Sequence, residues 1–352
     1  MKKKLIILNT PQFGSLTDSY KWCQYLKDIY DITFICFDNN LKRMDINGIC
    51  YKYVHRFDND LIRGIWYILY SFFYCLFHSG KIFIVYFEHC DLFPRLMPWK
   101  HYHVDIRTLS VNRDTKYNEK KDKKLNKSIS YFKSVSLVSL GVMHKLKLFN
   151  QDTYVLPLGS DIIDDSYKTW NELRLLYVGT LQHRDIPKTV EGFFNYVSMY
   201  GKENISYDII GDGPELIVIK DYVKEKNLQD VVFIHGKLPY DELVPYFKKC
   251  NVGVSFVPIE SCYQNQPPTK TFEYVLSGLY CIATATNANK DVITSENGIL
   301  IQDTIDNFTH ALQYIRTNHS CFDSKVIRDS LIKDYSWKSI VTNKLIPIIE
   351  RF

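Results

Sequence analysis

Short apolar runs alternate with helical patterns along this chain, stop near residue 157, and then start again. In the first half, 4–8, 32–37, 81–87, 102–106 and 134–139 read as strands, and 17–28, 61–78 and 118–132 as helices. A break follows at Leu156-Pro157-Leu158-Gly159-Ser160-Asp161, and polar, acidic residues run on to Glu172. Beyond it, 173–178, 206–210, 231–235, 252–256 and 280–283 read as strands, with helices over 187–200, 240–249 and 269–277 and another after Glu215. Continuous apolar strands separated by helices demand a parallel sheet covered on both faces. The expectation is an α/β chain of two Rossmann-like, doubly wound domains facing a cleft. Domain one spans 1–158, a linker 159–172, and domain two 173–335. Ligands of such sheets sit beyond the carboxyl ends of the strands.

Composition fits an ordinary globular protein: 352 residues, 46% hydrophobic and 24% charged, enough for two cores. The nine cysteines form no CxxC pair and sit mostly in apolar runs, which reads as free thiols in a reducing cytoplasm. The start, Met1-Lys2-Lys3-Lys4 followed by 5–8, is too short for a signal peptide's apolar core and reads as a first strand. Charge is uneven. Residues 1–150 hold 24 Lys and Arg against 13 Asp and Glu, while 151–352 hold 20 against 26. The first half thus favours an anionic partner or surface. No nucleic-acid-binding motif accompanies it, so nucleic acid is not expected as a partner.

Four turns follow strands where phosphate chemistry is expected. Gly14 and Ser15, after the first strand, let backbone N–H groups approach an anion, with Ser15 or Thr17 as helix cap. Gly179 and Thr180 occupy the same place in the second half, with Arg184 and Lys188 poised for a diphosphate. Gly211-Asp212-Gly213-Pro214-Glu215 reads as a strand-to-helix turn, with Gly213 lining the cleft. In the stretch 264–274, Lys270 and Glu273 share one helical turn. There a cation meets phosphate and a carboxylate accepts from a ribose diol, although an ordinary surface pair has the same spacing. Neither GxGxxG nor a P-loop is present.

In their order and spacing, several pieces of the second half resemble family 4 of the retaining GT-B glycosyltransferases of bacterial surface-polysaccharide type. They are Pro157-x-Gly159-x-Asp161, Val178-Gly179-Thr180-Leu181, Gly211 to Glu215, His235-Gly236, and Pro268-x-Lys270-x-x-Glu273-Tyr274 with Gly278; Ser336-Trp337 matches the closing motif. The resemblance implies a metal-independent, hexosyltransferase-type enzyme without a cofactor. It would move a sugar from a nucleoside diphosphate sugar to a hydroxyl of a glycan or lipid-linked glycan, in capsule, lipopolysaccharide or other surface-glycan synthesis. It implies that Glu273 binds the ribose and that a basic pair, Arg184 and Lys188 or Lys270, neutralises the diphosphate. Gly14 would donate backbone N–H to that diphosphate, and the loop after Gly236 would border the base. It also implies that the helix in 336–352 crosses back to the first domain. Substrate contacts fall to Gly14, Ser15, Gly179, Thr180, Gly213, Gly236, Asn265, Thr269 and Glu273. Two departures stand out: Asn265 replaces a second Glu eight positions before Glu273, and Thr180 replaces an Arg.

The acceptor is expected to be oriented from 101–107, where His103 and Asp105 stand at a strand's end with Arg107. Asp58-Asn59-Asp60 spells DxD but reads as a helix-capping loop. The apolar run 65–77 is too short to span a bilayer and reads as a core helix. The alternative reading, aided by the basic stretch 113–127, is a face for the anionic inner leaflet of the plasma membrane. Two other functions fit the same pattern: a nucleotide-sugar epimerase or hydrolase, and a non-catalytic nucleotide-sugar-binding partner protein.

Overall fold

The computed structural model describes every residue except Met1, Val111, Arg113 and 149–151. The chain forms two compact units. One is 1–157 with 337–352, and the other is 158–336.

The first unit is built on seven parallel strands: β1 (Lys3–Leu8), β2 (Tyr30–Asp38), β3 (Ile49–His55), β4 (Lys81–Val85), β5 (Tyr102–Ile106), β6 (Ser134–Leu137) and β7 (Asp152–Val155). Their spatial order is β3-β2-β1-β4-β5-β6-β7, the doubly wound pattern. The central strands are buried on both faces, as Leu5 to Leu8 show. The edge strand β3 is half-buried and mixes Lys52 and His55 with aromatics, so it carries no continuous apolar signal. Helix Thr17–Leu26 packs on one face through Trp22, Cys23 and Leu26. The same cluster holds Trp337, Ile340, Leu345 and Ile349 from the C-terminal segment.

The second unit repeats the pattern with β8 (Leu173–Val178), β9 (Ile205–Ile210), β10 (Val232–Gly236), β11 (Val252–Ser255), β12 (Tyr280–Thr284) and β13 (Gly298–Ile301). The order is β10-β9-β8-β11-β12-β13, again all parallel. The stretch 159–172, read above as a linker, is packed into this unit. Lys168 is buried there, with its ammonium 2.5 Å from Asp164 and 2.7 Å from the carbonyl of Phe247. Ser160 N–H donates to Tyr335 O.

All nine cysteines are free, and seven of them are buried. In the DxD tripeptide it is Asn59, not an aspartate, that caps the following helix: its Oδ1 accepts from Leu61 N and Ile62 N, while Asp60 pairs with Arg63.

Candidate functional site

In the second unit the predicted site residues converge on the carboxyl edge of the sheet, because every loop that follows a parallel strand emerges there. The tightest packing fixes the helix Thr269–Leu276. Gly253 on β11 lacks a side chain, and a Cβ there would lie 2.3 Å from Tyr274 Cγ. The ring therefore lies against the strand, and its hydroxyl accepts from Val178 N–H at 2.8 Å. Thr271 Oγ1 meets Ser255 Oγ at 2.7 Å and Asn289 Oδ1 at 3.2 Å. Glu273, beside Tyr274, is held within one turn of these anchors and is only 6% exposed.

Burial raises the Glu273 pKa, and the Lys270 ammonium, 2.5 Å from Oε2, pulls it back down. Lys270 also lies 5.9 Å from the centroid of the Tyr240 ring. No side chain caps the N-terminus of this eight-residue helix; Pro268 stands at the cap and Thr269 at the first helical position. Its first-turn N–H groups therefore lie beside a lysine and a buried carboxylate. Together they offer an anion a positive pole and a diol an acceptor.

The turns after β8 and β9 form one backbone-bonded unit. Leu181 N donates to Asp212 O, and Glu215 N to Leu181 O, at 2.9 Å each. Gly211 and Gly213 are required for this approach. Added Cβ atoms would lie 1.9 Å from Gly179 O and 2.5 Å from Leu181 O, and Gly213 has φ +149°. The Glu215 carboxylate then accepts three backbone N–H groups, from Arg184 at 2.8 Å, Asp185 at 3.2 Å and Ile186 at 2.9 Å. This fills the N-terminus of the helix Ile186–Tyr200. The Arg184 guanidinium lies 4.8 Å over the Tyr263 ring, and the Tyr263 hydroxyl donates to His183 O. Lys188 pairs with Asp185 at 2.8 Å, and that bond raises its pKa. Thr180 is exposed beside Gly179, and its carbonyl accepts from the Tyr177 hydroxyl.

Gly236 ends β10 at φ +69°, and its carbonyl accepts from Gly211 N. His235 is occupied: Nε2 meets Asp208 Oδ1 at 2.7 Å and Nδ1 meets the Tyr246 hydroxyl at 3.2 Å. Asn265 sits in the loop before Pro268, where its Oδ1 lies 3.5 Å from Asn287 Nδ2.

In the first unit, Gly14 turns the chain with φ +89°, and Ser15 N–H donates to Gln12 O. The expected cap by Ser15 or Thr17 does not form. Leu16 stands at the cap position of the helix Thr17–Leu26, without a side-chain hydrogen bond.

His103 and Asp105 require a larger correction. Both are fully buried inside β5, so neither presents a group to an acceptor. His103 is clamped by Ser134 Oγ at Nδ1 and Ser136 Oγ at Nε2, each at 2.7 Å, and stacks on Phe83 and Phe352. Ser136 donates in turn to Asp105. Arg107, salt-bridged to Asp18 at 2.6 Å, lies 3.6 Å from Asp105. Burial pushes His103 down to about 3 and Asp105 up to about 6.

Reading the sequence alone missed Glu215 as the organiser of the Arg184 loop, Tyr263 beneath that arginine, and Tyr240 beside Lys270. An acidic residue two positions past Gly213, at the start of a helix, was the only signal for Glu215. Among the described residues no three His, Cys, Asp or Glu side chains gather to hold a metal ion.

Comparison with known proteins agrees with this layout. Residues 172–318 match the model of the family described as glycosyl transferases group 1. No curated protein matches the sequence. Among solved structures, a glycosyltransferase from Rickettsia africae superposes with TM-score 0.79 at 12% identity, covering 99% of this chain and 98% of that one. A lipopolysaccharide outer core galactosyltransferase gives TM-score 0.72 at 16% identity over 99% and 100% of the two chains. The pneumococcal O-GlcNAc transferase, solved with UDP and GlcNAc, gives 0.73 at 10% identity over 99% of each. The segment 172–318 is thus similar to the group 1 glycosyl transferases, within a chain that has the two-unit GT-B fold of these structures.

Proposed function

We propose that the protein is a glycosyltransferase that moves a sugar from a nucleoside diphosphate donor to an acceptor hydroxyl with retention of anomeric configuration. The observation that carries this reading is the buried Glu273 carboxylate, paired with Lys270 at an uncapped helix N-terminus. A ribose diol would donate two hydrogen bonds to Glu273. Lys270 would then leave the carboxylate for the diphosphate beside the first-turn N–H groups. Asn265, which carries no charge, would meet sugar hydroxyls.

As the bond between the anomeric carbon and the β-phosphate oxygen breaks, negative charge grows on that phosphate. Arg184, Lys188 and Lys270 supply fixed positive charge against it, with no need for a metal. The acceptor oxygen forms the new bond to the anomeric carbon, and its proton passes to the leaving phosphate. A hexosyl donor and a glycan or lipid-linked glycan acceptor, in surface-glycan synthesis at the cytoplasmic side of the membrane, complete the proposal. The galactosyltransferase and O-GlcNAc transferase among the structural neighbours support the hexosyl part.

Incubating the protein with nucleotide sugars and acceptor glycans, and following nucleoside diphosphate release, tests the reading. Release that depends on both donor and acceptor, with a new glycosidic product, supports it. Donor epimerised or hydrolysed at the same rate without acceptor overturns it.

A further inference from the structure

The helix Asp60–Phe77, between β3 and β4, is long and apolar enough to cross a membrane by length and composition. Its packing forbids that orientation. Tyr67, Ser71 and Cys75 are buried against the first sheet, and the Tyr67 hydroxyl donates to Ile35 O of β2 at 2.9 Å. The opposite side is uncovered. Leu61, Ile65, Leu69, Phe73 and Phe77 recur every fourth residue and are exposed, Leu61 by 72% and Phe77 by 77%; Trp66 stands exposed beside them. No charged residue occurs from Gly64 to Phe77.

The steps β3 to β4, β4 to β5 and β5 to β6 all run the same way across the sheet. Right-handed crossovers therefore place their three connecting helices on one face. Contacts confirm it. Phe72 of the first helix meets Phe93 of the short helix Leu92–Leu96 at 6.1 Å. Asp91, at the start of that helix, accepts from Ser128 of the third helix, Thr115–Ile129. Leu96 in the short helix and Trp99 just after it add exposed apolar surface.

The helix Thr115–Ile129 carries Lys116, Lys120, Lys121, Lys123, Lys124 and Lys127, all exposed. Arg113, also part of the basic stretch, lies outside the described residues. Glu88 joins the two regions. It pairs with Lys121 at 2.8 Å and Lys124 at 3.1 Å, and it also lines a cavity of about 540 Å³ with Leu61, Ile65 and Ile68. Lys116, Lys120, Lys123 and Lys127 extend the positive charge beyond this pair.

We infer that this face of the first unit is a docking surface for a bilayer containing anionic lipid. The apolar stripe lies in the headgroup–acyl boundary, and the lysine helix lies against the negative surface. A stripe long enough to span but fixed flat by its buried side can enter lipid only in the plane of the interface. The adjoining lysines favour an anionic leaflet over a neutral one, since each basic residue near such a surface adds attraction that salt screens. The inference deepens the proposed membrane-side acceptor but rests on residues of the first unit, whereas Glu273 belongs to the second, so either can fail alone.

The test is cosedimentation of the full chain with phosphatidylglycerol-containing vesicles and with pure phosphatidylcholine vesicles, at low and high salt. Brominated lipid reports by quenching the depth of the exposed Trp66 and Trp99. Strong binding to the anionic vesicles at low salt, at least tenfold weakened by high salt and with tryptophan emission quenched, is expected. The double variant Leu69→Glu, Phe73→Glu and the triple variant Lys120→Glu, Lys123→Glu, Lys127→Glu should each lose at least tenfold in vesicle affinity. Both should keep the wild-type melting temperature and the wild-type affinity for UDP. Equal binding of variants and wild type overturns the inference. So does failure to bind vesicles by a wild type that sedimentation shows to be a dimer dissociated by Leu69→Glu, Phe73→Glu, since the face would then belong to a second copy.

Discussion

Lys270 and Glu273 lie 2.5 Å apart on one helical turn, the lysine partly open to solvent and the glutamate almost wholly enclosed. The pair is asymmetric: the carboxylate depends on the ammonium far more than the reverse. Replacing Lys270 with Met leaves a buried carboxylate without its cation. The Glu273 pKa, already raised by burial, should rise further. Stability should fall by about 1–3 kcal/mol at neutral pH, the range for a charged group stripped of its partner. The loss should shrink as acid neutralises Glu273. If the lysine also faces the leaving phosphate, kcat should fall by roughly a hundredfold or more. Chemical denaturation across pH and steady-state kinetics read the two effects separately.

Glu215 supports a different argument. Its carboxylate accepts three backbone N–H groups at the entry of the helix Ile186–Tyr200. Glu215→Ala should lower stability by about 2 kcal/mol, the upper range for loss of a cap. Because the same bonds hold Arg184 in place, kcat/KM should drop roughly tenfold to a hundredfold, as for misplacement of a positioning group. A variant with lowered stability but unaltered kcat/KM would detach Arg184 from the reaction.

Gly253 is the space in which Tyr274 sits. Gly253→Ala would set a Cβ 2.3 Å from the ring's Cγ, near the stiff base of that side chain. The helix carrying Glu273 must then move. A destabilisation of about 3 kcal/mol is expected, together with weakened donor binding, measured by thermal melting and nucleotide titration.

The buried His103 and Asp105 act oppositely on acid stability. His103 titrates at about 3 when folded, against about 6.5 when unfolded. Its contribution is present above pH 6.5 and is lost as pH falls. Asp105 is raised to about 6. Folded, it takes up a proton that the unfolded chain binds only near pH 4, so its contribution grows as pH falls from 6 to 4. Each amounts to about 1.4 kcal/mol per pH unit within its window. In wild type the two offset one another between pH 6 and 4. His103→Gln removes the first, so its stability relative to wild type should improve by about 1.4 kcal/mol per unit on acidification. Parallel pH profiles would contradict this account.

The sequence made the central strands and the glycine turns visible because both leave local marks. Runs such as Leu5 to Leu8 and 173–178 are buried on two faces, and a glycine after a strand records a close backbone approach. Strands β3 and β7 were missed because they are half-buried and interrupted by polar residues, and β13 because its apolar run is only four residues long. His103 and Asp105 were misread because their partners, Ser134 and Ser136, lie on a strand some 30 residues away that only the sheet brings alongside. Glu215 was passed over for a similar reason, since its partners begin 31 residues earlier. Lys270 and Glu273 were legible as a pair, but their unequal burial was not.

The most direct test of the donor site is isothermal titration of UDP, with GDP and ADP in parallel, into wild type and Glu273→Ala. Removing hydrogen bonds to a charged group, each about 1.5–3 kcal/mol, should weaken the preferred nucleotide by roughly tenfold to more than a hundredfold. Equal affinity in wild type and a fully folded Glu273→Ala would contradict the assignment of that carboxylate to the ribose, and with it the proposed donor site.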